Sequence, residues 1–311
     1  MKLSVVKLLM LTIIQGQIAV IYSVPNNDNE DSDNNPVNAV LDEEDLPDIP
    51  NPVQAFVPAD IVNGRKRRAI RKRSATGRSV NIPSEVVQKM ANVPISALST
   101  DLPENRKEIL DAHNYFRGKA EPTASNMLKL VWSPEAAKTS QSWAQQCILG
   151  HSPQDNRKIT GFNCGENIFF FDYMVPWKTV IESWYSENVD FKYGHGATSD
   201  AEIGHFTQVM WASSSAVGCG MAECKNGPAK YNFVCHYAPS GNKGSRAKPW
   251  KQGKPCGDCP NSCENNLCTN PCGYQDFFNN CVDFKNSCVS DSSMKSKKCP
   301  ATCQCINGEI K

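Results

Sequence analysis

Four side chains in the middle of the chain have the types needed for metal or acid–base chemistry. His205 stands in Gly204-His205-Phe206-Thr207-Gln208-Val209-Met210-Trp211, where Phe206, Val209, Met210 and Trp211 form an apolar surface around a titratable ring. Thr207 and Gln208 need hydrogen-bond partners if that stretch is buried. Candidate partners for the histidine lie upstream: His151 in Gly150-His151-Ser152-Pro153, Glu166 in Cys164-Gly165-Glu166-Asn167, and Glu187 in Trp184-Tyr185-Ser186-Glu187. Two imidazoles and two carboxylates suit zinc, which takes nitrogen and carboxylate-oxygen ligands in tetrahedral sites. They equally suit general acid–base chemistry around a water, with Glu166 and Glu187 as the catalytic carboxylates of a hydrolase. A third reading is a polar network that holds structure together and does no chemistry. The spacing does not choose among these, because the chain has no His-Glu-x-x-His and no Gly-x-Ser-x-Gly.

The elements that must position these residues are partly legible. Asp101-Leu102-Pro103-Glu104 predicts a helix N-terminus with Asp101 as cap and Glu104 three residues on. Ile109, Leu110, His113 and Phe116 then recur at helical spacing, and Gly118 ends the run. His113 reads as a core or helix-surface histidine, not a ligand. Ser133-Pro134 opens a second helix, with Ala137, Ser140, Ala144 and Cys147 as a small-residue stripe suited to packing on a sheet. Pro176 opens a third, whose Trp177, Val180, Ile181 and Trp184 face a core. Strands are expected at 129–132, 216–223 and 231–237; in the last, Tyr231, Phe233, Cys235 and Tyr237 share one face. Helices with a mainly antiparallel sheet make the fold class α+β.

The 311 residues are enough for one sizeable core and a smaller module. A net charge of +1 gives no argument for nucleic acid, and no aromatic–basic pattern supplies one. Residues 1–23 read as a signal peptide: Lys2 and Lys7 start it, and Gln15, Gly16 and Gln17 interrupt an apolar run too short for a span of roughly 20 residues. No later stretch is apolar enough to be a transmembrane segment, so the product is expected to be secreted and extracellular. Residues 24–73 read as a disordered propeptide. The acidic runs Asp28-Asn29-Glu30-Asp31 and Asp42-Glu43-Glu44-Asp45 cannot offset ordering entropy by burial. They give way to Arg65-Lys66-Arg67-Arg68 and Arg71-Lys72-Arg73. Cleavage on paired basic residues, after Arg68 or Arg73, is the favoured reading of these; a heparin- or anion-binding patch is the other.

The folded chain is expected to begin at Ile95, with a large domain over 95–242, a Gly-, Lys- and Pro-rich hinge over 243–255, and a cysteine-rich module over 256–305. Fifteen cysteines point to disulfides in an oxidising compartment. Zinc at Cys256-Gly257-Asp258-Cys259 is the rival reading. The last module has little apolar sequence and must be held by disulfides. Five cysteines fall in the large domain and ten in the tail, so one thiol is left over, either buried and inert or paired between chains. Spacing alone does not settle which cysteines pair.

The four segments around the histidines and glutamates, with Tyr237-Ala238-Pro239-Ser240-Gly241-Asn242, resemble the CAP superfamily. The tail after Cys256 narrows the resemblance to cysteine-rich secretory proteins, over roughly residues 95–305. It implies an α-β-α sandwich with a small disulfide-rich C-terminal module. It also implies a surface cleft lined by His151, Glu166, Glu187 and His205, in which the two histidines can bind zinc that folding does not require. The implied pairs are Cys147–Cys224, Cys219–Cys235, Cys256–Cys263, Cys259–Cys268, Cys272–Cys305, Cys281–Cys299 and Cys288–Cys303. The family partner of Cys164 would fall at position 238, where this chain has Ala238, so Cys164 is expected as the free thiol.

The function that follows is binding and regulation of an extracellular or cell-surface target, by a monomer or weak dimer. By resemblance the target is an ion channel, a gamete surface or an egg coat, with roles in fertilisation. Tyr274, Phe277, Phe278 and Phe284 are the candidate contact residues of the tail, since so small a module cannot bury all four. The alternative is a metal-dependent hydrolase or protease acting on extracellular-matrix or egg-envelope proteins, activated by propeptide removal. Carriage of a lipid or sterol is a third class that the resemblance admits and no residue here supports.

Overall fold

The computed structural model describes residues 69–73, 79–278 and 280–311. β1 (Ala69–Arg73) pairs antiparallel with β2 (Ser79–Pro83), and α1 (Ser84–Met90) follows directly. Next come α2 (Pro103–Arg117), β3 (Val131–Trp132) and α3 (Pro134–Ala144). A hairpin of β4 (Lys158–Ile159) and β5 (Phe162–Asn163) leads into β6 (Gly165–Phe171) and α4 (Trp177–Tyr185). A second hairpin, β7 (Phe191–Lys192) with β8 (Gly196–Ala197), precedes α5 (Gly204–Val209), β9 (Ala216–Glu223) and β10 (Tyr231–Ala238). In the tail β11 (Cys263–Glu264) pairs with β12 (Leu267–Cys268), and α6 (Pro300–Gln304) lies near the end.

The central sheet has the order β3-β9-β10-β6, with β3 parallel to β9 and the other pairs antiparallel. Every residue of β6 is buried, and so is every residue of β10 after Tyr231. Strands buried on both faces need a layer on each side. On one side Phe169, Phe171, Phe233, Cys235 and Tyr237 join Ile109 of α2 and Trp177, Val180, Ile181 and Trp184 of α4 in the main core. On the other, Ile168, Phe170 and Val234 meet Trp143 and Ala144 of α3. The result is an α-β-α sandwich. The small-residue stripe of α3 lets it lie almost on the backbone of β9. A Cβ at Gly218 would collide with backbone atoms of Ser133, Ala136 and Ala137, and one at Gly220 with the backbone of Gln141. Only glycine permits this approach.

Several local expectations change. α2 starts at Pro103 with Leu102 in the cap position and no side-chain cap; Asp101 instead closes a local turn with Ser99. Pro103 presets the first helical φ and brings no N–H to cap. The strand expected at 129–132 shrinks to two residues, and β6 was not expected at all. Its run of Ile168, Phe169, Phe170 and Phe171 lacks the alternation that marks a half-buried strand. Packing also begins upstream of Ile95, since Ile82 and Val87 sit in the main core.

The signal peptide, the acidic runs and Arg68 lie outside the described residues. Arg71, Lys72 and Arg73 lie in β1, paired with Asn81, Val80 and Ser79, so the basic end of the expected disordered propeptide is strand. The stretch expected as a hinge is strapped to the sandwich. Trp250 is buried against Phe191, Tyr193 and Phe206, and its indole N–H donates to the Pro122 carbonyl at 2.8 Å. Backbone bonds from Ala212 N to Pro249 O, Ser125 N to Lys251 O and Gly253 N to Thr123 O hold the rest.

Seven disulfides close: Cys147–Cys224, Cys219–Cys235, Cys256–Cys263, Cys259–Cys268, Cys272–Cys305, Cys281–Cys299 and Cys288–Cys303. Bonded in this way, Cys256 and Cys259 have no thiolate to offer, which removes the zinc reading of that segment. Cys164 is free and fully buried. Burial pushes its thiol up to about 12, against a smaller pull from Arg157, so it is held protonated and unreactive. The tail has small cores built around cysteines. The first of them includes Leu128 of the sandwich, where Cys268 N donates to Met127 O and Lys129 N to Cys268 O.

Candidate functional site

The site is built where β6 lies against β10 and α5 packs beneath them. The register sets His236 directly opposite Glu166. Because Phe233, Cys235 and Tyr237 face the main core, His236 must point to the α3 side. There its Nε2 lies 2.9 Å from Glu166 Oε2, and its Nδ1 lies 2.7 Å from Thr139 Oγ1 of α3. Glu166 Oε1 takes His151 Nδ1 at 2.7 Å and the Ser152 N–H at 2.8 Å, while Oε2 also accepts the Ser152 hydroxyl at 2.7 Å. The Arg157 guanidinium is 3.9 Å from Oε1 and donates to the carbonyls of Ser152 and Cys164.

Burial alone would raise the Glu166 pKa. The hydrogen bonds and charge of His151 and His236 overcome that and hold the carboxyl well below the usual range. Glu166 is therefore a saturated, permanently charged acceptor, with neither the pKa nor a free lone pair to act as a general base.

The second pair is built differently. Glu187, in the 3₁₀ turn after α4, accepts His205 Nδ1 at 2.7 Å on one oxygen and the Phe206 N–H at 3.0 Å on the other. It thus satisfies a first-turn donor of α5, which begins at Gly204, and fixes the ring one residue before. Trp184 stacks over the His205 ring, with centroids 6.4 Å apart and planes 11° from parallel. Asn167 joins the two pairs: it follows Glu166 in β6, and its Nδ2 donates to the His205 carbonyl at 3.1 Å. The same amide lies 3.4 Å from Tyr237 Oη, which is 2.9 Å from His113 Nε2. His113 Nδ1 lies 2.8 Å from the Ile109 carbonyl, an acceptor only, so Nδ1 carries the proton and Tyr237 donates to Nε2. Burial lowers the His113 pKa to about 4, and the ring is neutral.

The four candidates therefore form two carboxylate–histidine pairs, His151–Glu166 and His205–Glu187, bridged by Asn167. In each the carboxylate holds Nδ1, which leaves Nε2 as the ligating nitrogen, the arrangement that orients metal-binding imidazoles. The donor chemistry fits zinc on the two histidines. It does not make the carboxylates ligands: among the described residues, the groups of three or more donor atoms within 4.8 Å of one another are Cys256, Cys259 and Cys268, and Asp276, Cys281 and Cys299. The cysteines of both groups are in disulfides. His236, Ser152 and Arg157 were not singled out from the sequence. His236 could have been, as a histidine in an alternating strand on the face opposite the aromatic residues.

In the tail, Tyr274, Phe277, Phe278 and Phe284 are 45%, 50%, 55% and 44% exposed. Val282 and Val289 nearby are also exposed. None of the four aromatic residues belongs to a tail core; those cores are made of cysteines with Leu128, Ile310, Ala301 and Met294.

Comparison with known proteins follows the same division. The model of the cysteine-rich secretory protein family, CAP, matches residues 110–237, and the Crisp model matches 256–311. Among solved structures, NaASP2 with Zn2+ is 28% identical, with 54% of this chain and 96% of that chain covered and a TM-score of 0.45. BmVAL-1 is 30% identical, with 54% and 95% covered and a TM-score of 0.44. Venom allergen-like protein 4 of Schistosoma mansoni is 21% identical, with 51% and 100% covered and a TM-score of 0.41. A sandwich with the CAP match, joined to a five-disulfide tail with the Crisp match, places this chain in the cysteine-rich secretory protein family.

Proposed function

We propose that this chain is a secreted, non-catalytic binding protein whose tail engages a protein on a cell surface or in the extracellular matrix. An ion channel or an egg-coat protein is the kind of target intended. The observation that carries this reading is the exposure of Phe277 and Phe278, with Tyr274 and Phe284, on a module already held by disulfides. Exposed aromatic side chains on a rigid scaffold lose little entropy on binding, and such residues dominate interface energetics. The saturated state of Glu166 takes one of the two candidate carboxylates of the hydrolase alternative out of acid–base chemistry. No helix among the described residues is long and apolar enough to cross a membrane. Zinc, where present, would be held by Nε2 of His151 and His205.

The test is binding of the purified chain to intact cells and isolated egg coats, with protease-stripped surfaces as the control. Phe277→Ser/Phe278→Ser should weaken binding at least ~30-fold, the effect of losing one hot spot of about 2 kcal/mol. His151→Ala/His205→Ala should leave it unchanged. Equal binding by the aromatic double variant would remove the tail from the function. The alternative, a hydrolase, is checked with a matrix substrate with and without chelator: activity lost in the histidine double variant would establish it.

A further inference from the structure

The strap between the sandwich and the tail carries a charge pattern that the proposed function does not use. From Pro239 to Gly257 the chain has Lys243, Arg246, Lys248, Lys251 and Lys254 and no Asp or Glu, in a protein whose net charge is +1. The backbone that carries them is pinned. Gly194 N donates to Ala247 O at 2.8 Å, Ala212 N to Pro249 O at 2.8 Å, and Ser125 N to Lys251 O at 2.9 Å. Lys251 N donates to Asn126 Oδ1 at 2.9 Å, and Trp250 anchors the centre in the core. The cations therefore sit on a fixed rail, and a ligand does not have to order the chain that presents them.

Beside the rail is a depression of about 590 Å³, with Lys248, Lys251 and Lys311 on it next to Tyr193, Trp211 and Asn126. No Asp or Glu side chain lines it. Acids touch the strap from outside: Asp258 accepts Lys251 Nζ at 2.9 Å on both oxygens, and Glu202 accepts Arg246 Nη1 at 2.7 Å. The Lys251 side chain is 64% exposed in its pair, of the kind that contributes little, whereas the Arg246 pair is partly buried. Lysines beside aromatic faces and neutral hydrogen-bonding groups, with no acidic side chain on the wall of the depression, suit an anionic sugar. The ammonium groups meet the anions, and the rings of Tyr193 and Trp211 meet the apolar faces of the sugar. Cations distributed along the strap match a linear polymer of repeated anions better than a single small ion, which needs donors converging on one point.

We propose that this strap and the depression beside Trp211 bind a linear sulfated polysaccharide of the extracellular matrix. The depression shares no lining residue with the His/Glu pairs or with the exposed aromatic residues of the tail, so the proposal stands whether or not the tail engages a protein.

The experiment is binding of the full secreted chain to immobilised heparin, compared with chemically desulfated heparin, inorganic sulfate as competitor, and vesicles containing phosphatidylserine. The wild type should bind heparin and lose binding steeply with salt. Lys248→Ala/Lys251→Ala should weaken the affinity at least tenfold with a shallower salt dependence. Lys248→Arg/Lys251→Arg should bind as the wild type does. Lys285→Ala/Lys297→Ala, which removes the same charge from the tail, should have less than a twofold effect. Equal loss in the tail pair would reduce the effect to overall charge and overturn the proposal. Absence of heparin binding, undiminished binding to desulfated heparin, competition by sulfate at matched charge, or tighter Lys248-dependent binding to the vesicles would each overturn it as well.

Discussion

The sandwich and the distal tail solve the problem of holding a shape in opposite ways. The sandwich buries a core on each face of its sheet, in which Trp177, Trp184, Phe169, Phe170, Phe171 and Phe233 are all closed to solvent. The tail from Cys272 onward buries little beyond cysteines, Ala301 and Met294, and leaves Phe277, Phe278, Val282 and Val289 in water. Where burial supplies stability, a disulfide becomes dispensable: Cys164 keeps a thiol opposite a chain that has Ala238, and the sheet still forms. The same core can also enclose polar groups at cost. Where cross-links supply stability, apolar side chains are released from packing and are free to meet a partner. The regions differ accordingly, with a buried polar network in one and an exposed apolar surface in the other.

The comparison breaks most severely at Arg117. Its guanidinium is fully buried, has no carboxylate partner among the described residues, and donates to the carbonyls of Leu128, Val209, Trp211, Ala212 and Ser214. Arg117→Leu takes a donor from five interior carbonyls, of which those of Trp211 and Ala212 keep a backbone N–H partner, and a loss of about 3–4 kcal/mol is expected. Thermal unfolding, or failure of secretion, checks it. Cys272→Ser/Cys305→Ser should cost the tail about 3 kcal/mol, on the usual scale for a bridge closing such a loop. Hydrogen exchange should rise across residues 273–304 and stay unchanged in β6, β9 and β10. Loosening that spread into the sheet would mean the two regions are not separately held.

Acid separates the polar network from the tail by a smaller amount. His113 has a folded pKa of about 4 against about 6.5 unfolded, so between those values only the unfolded chain takes the proton. Stability from this group is full above pH ~6.5 and is lost as pH falls toward 4, by up to about 3 kcal/mol. Glu166, held below the carboxylate range, adds a further loss only below pH ~4.5. His113→Gln should flatten the upper limb in a Tm-versus-pH series and leave the lower one. The smallest effect expected is a gain. The β6–β10 register ends with Tyr237 opposite Gly165, so the next pair along would set Ala238 against Cys164. Ala238→Cys should close an eighth disulfide, abolish the thiol detected after denaturation, and add about 1–2 kcal/mol, less than the full entropic value because the sheet already holds the loop.

Much of the sandwich was legible because its signals are local. Trp177, Val180, Ile181 and Trp184 mark one helix face within eight residues, and Ser133-Pro134 marks a helix start within two. β6 was not legible, because a strand buried on both faces has no alternation to display. The candidate site was legible as residue types and not as partners. Nothing near Glu166 in the chain indicates that it faces His236, seventy positions away, or that Glu187 spends an oxygen on the Phe206 N–H.

By itself the sequence determined the periodic helices, the alternating last strand, the odd cysteine count and the division into a core-bearing domain and a cysteine-dense tail. Each of these depends on composition or on neighbours a few residues apart. Tertiary structure alone decided which carboxylate holds which imidazole, that Glu166 is saturated, that the supposed hinge is a pinned strap, and that the tail aromatics face water. Those outcomes depend on sheet register and on which surfaces meet, and register is set by packing of the whole core at once.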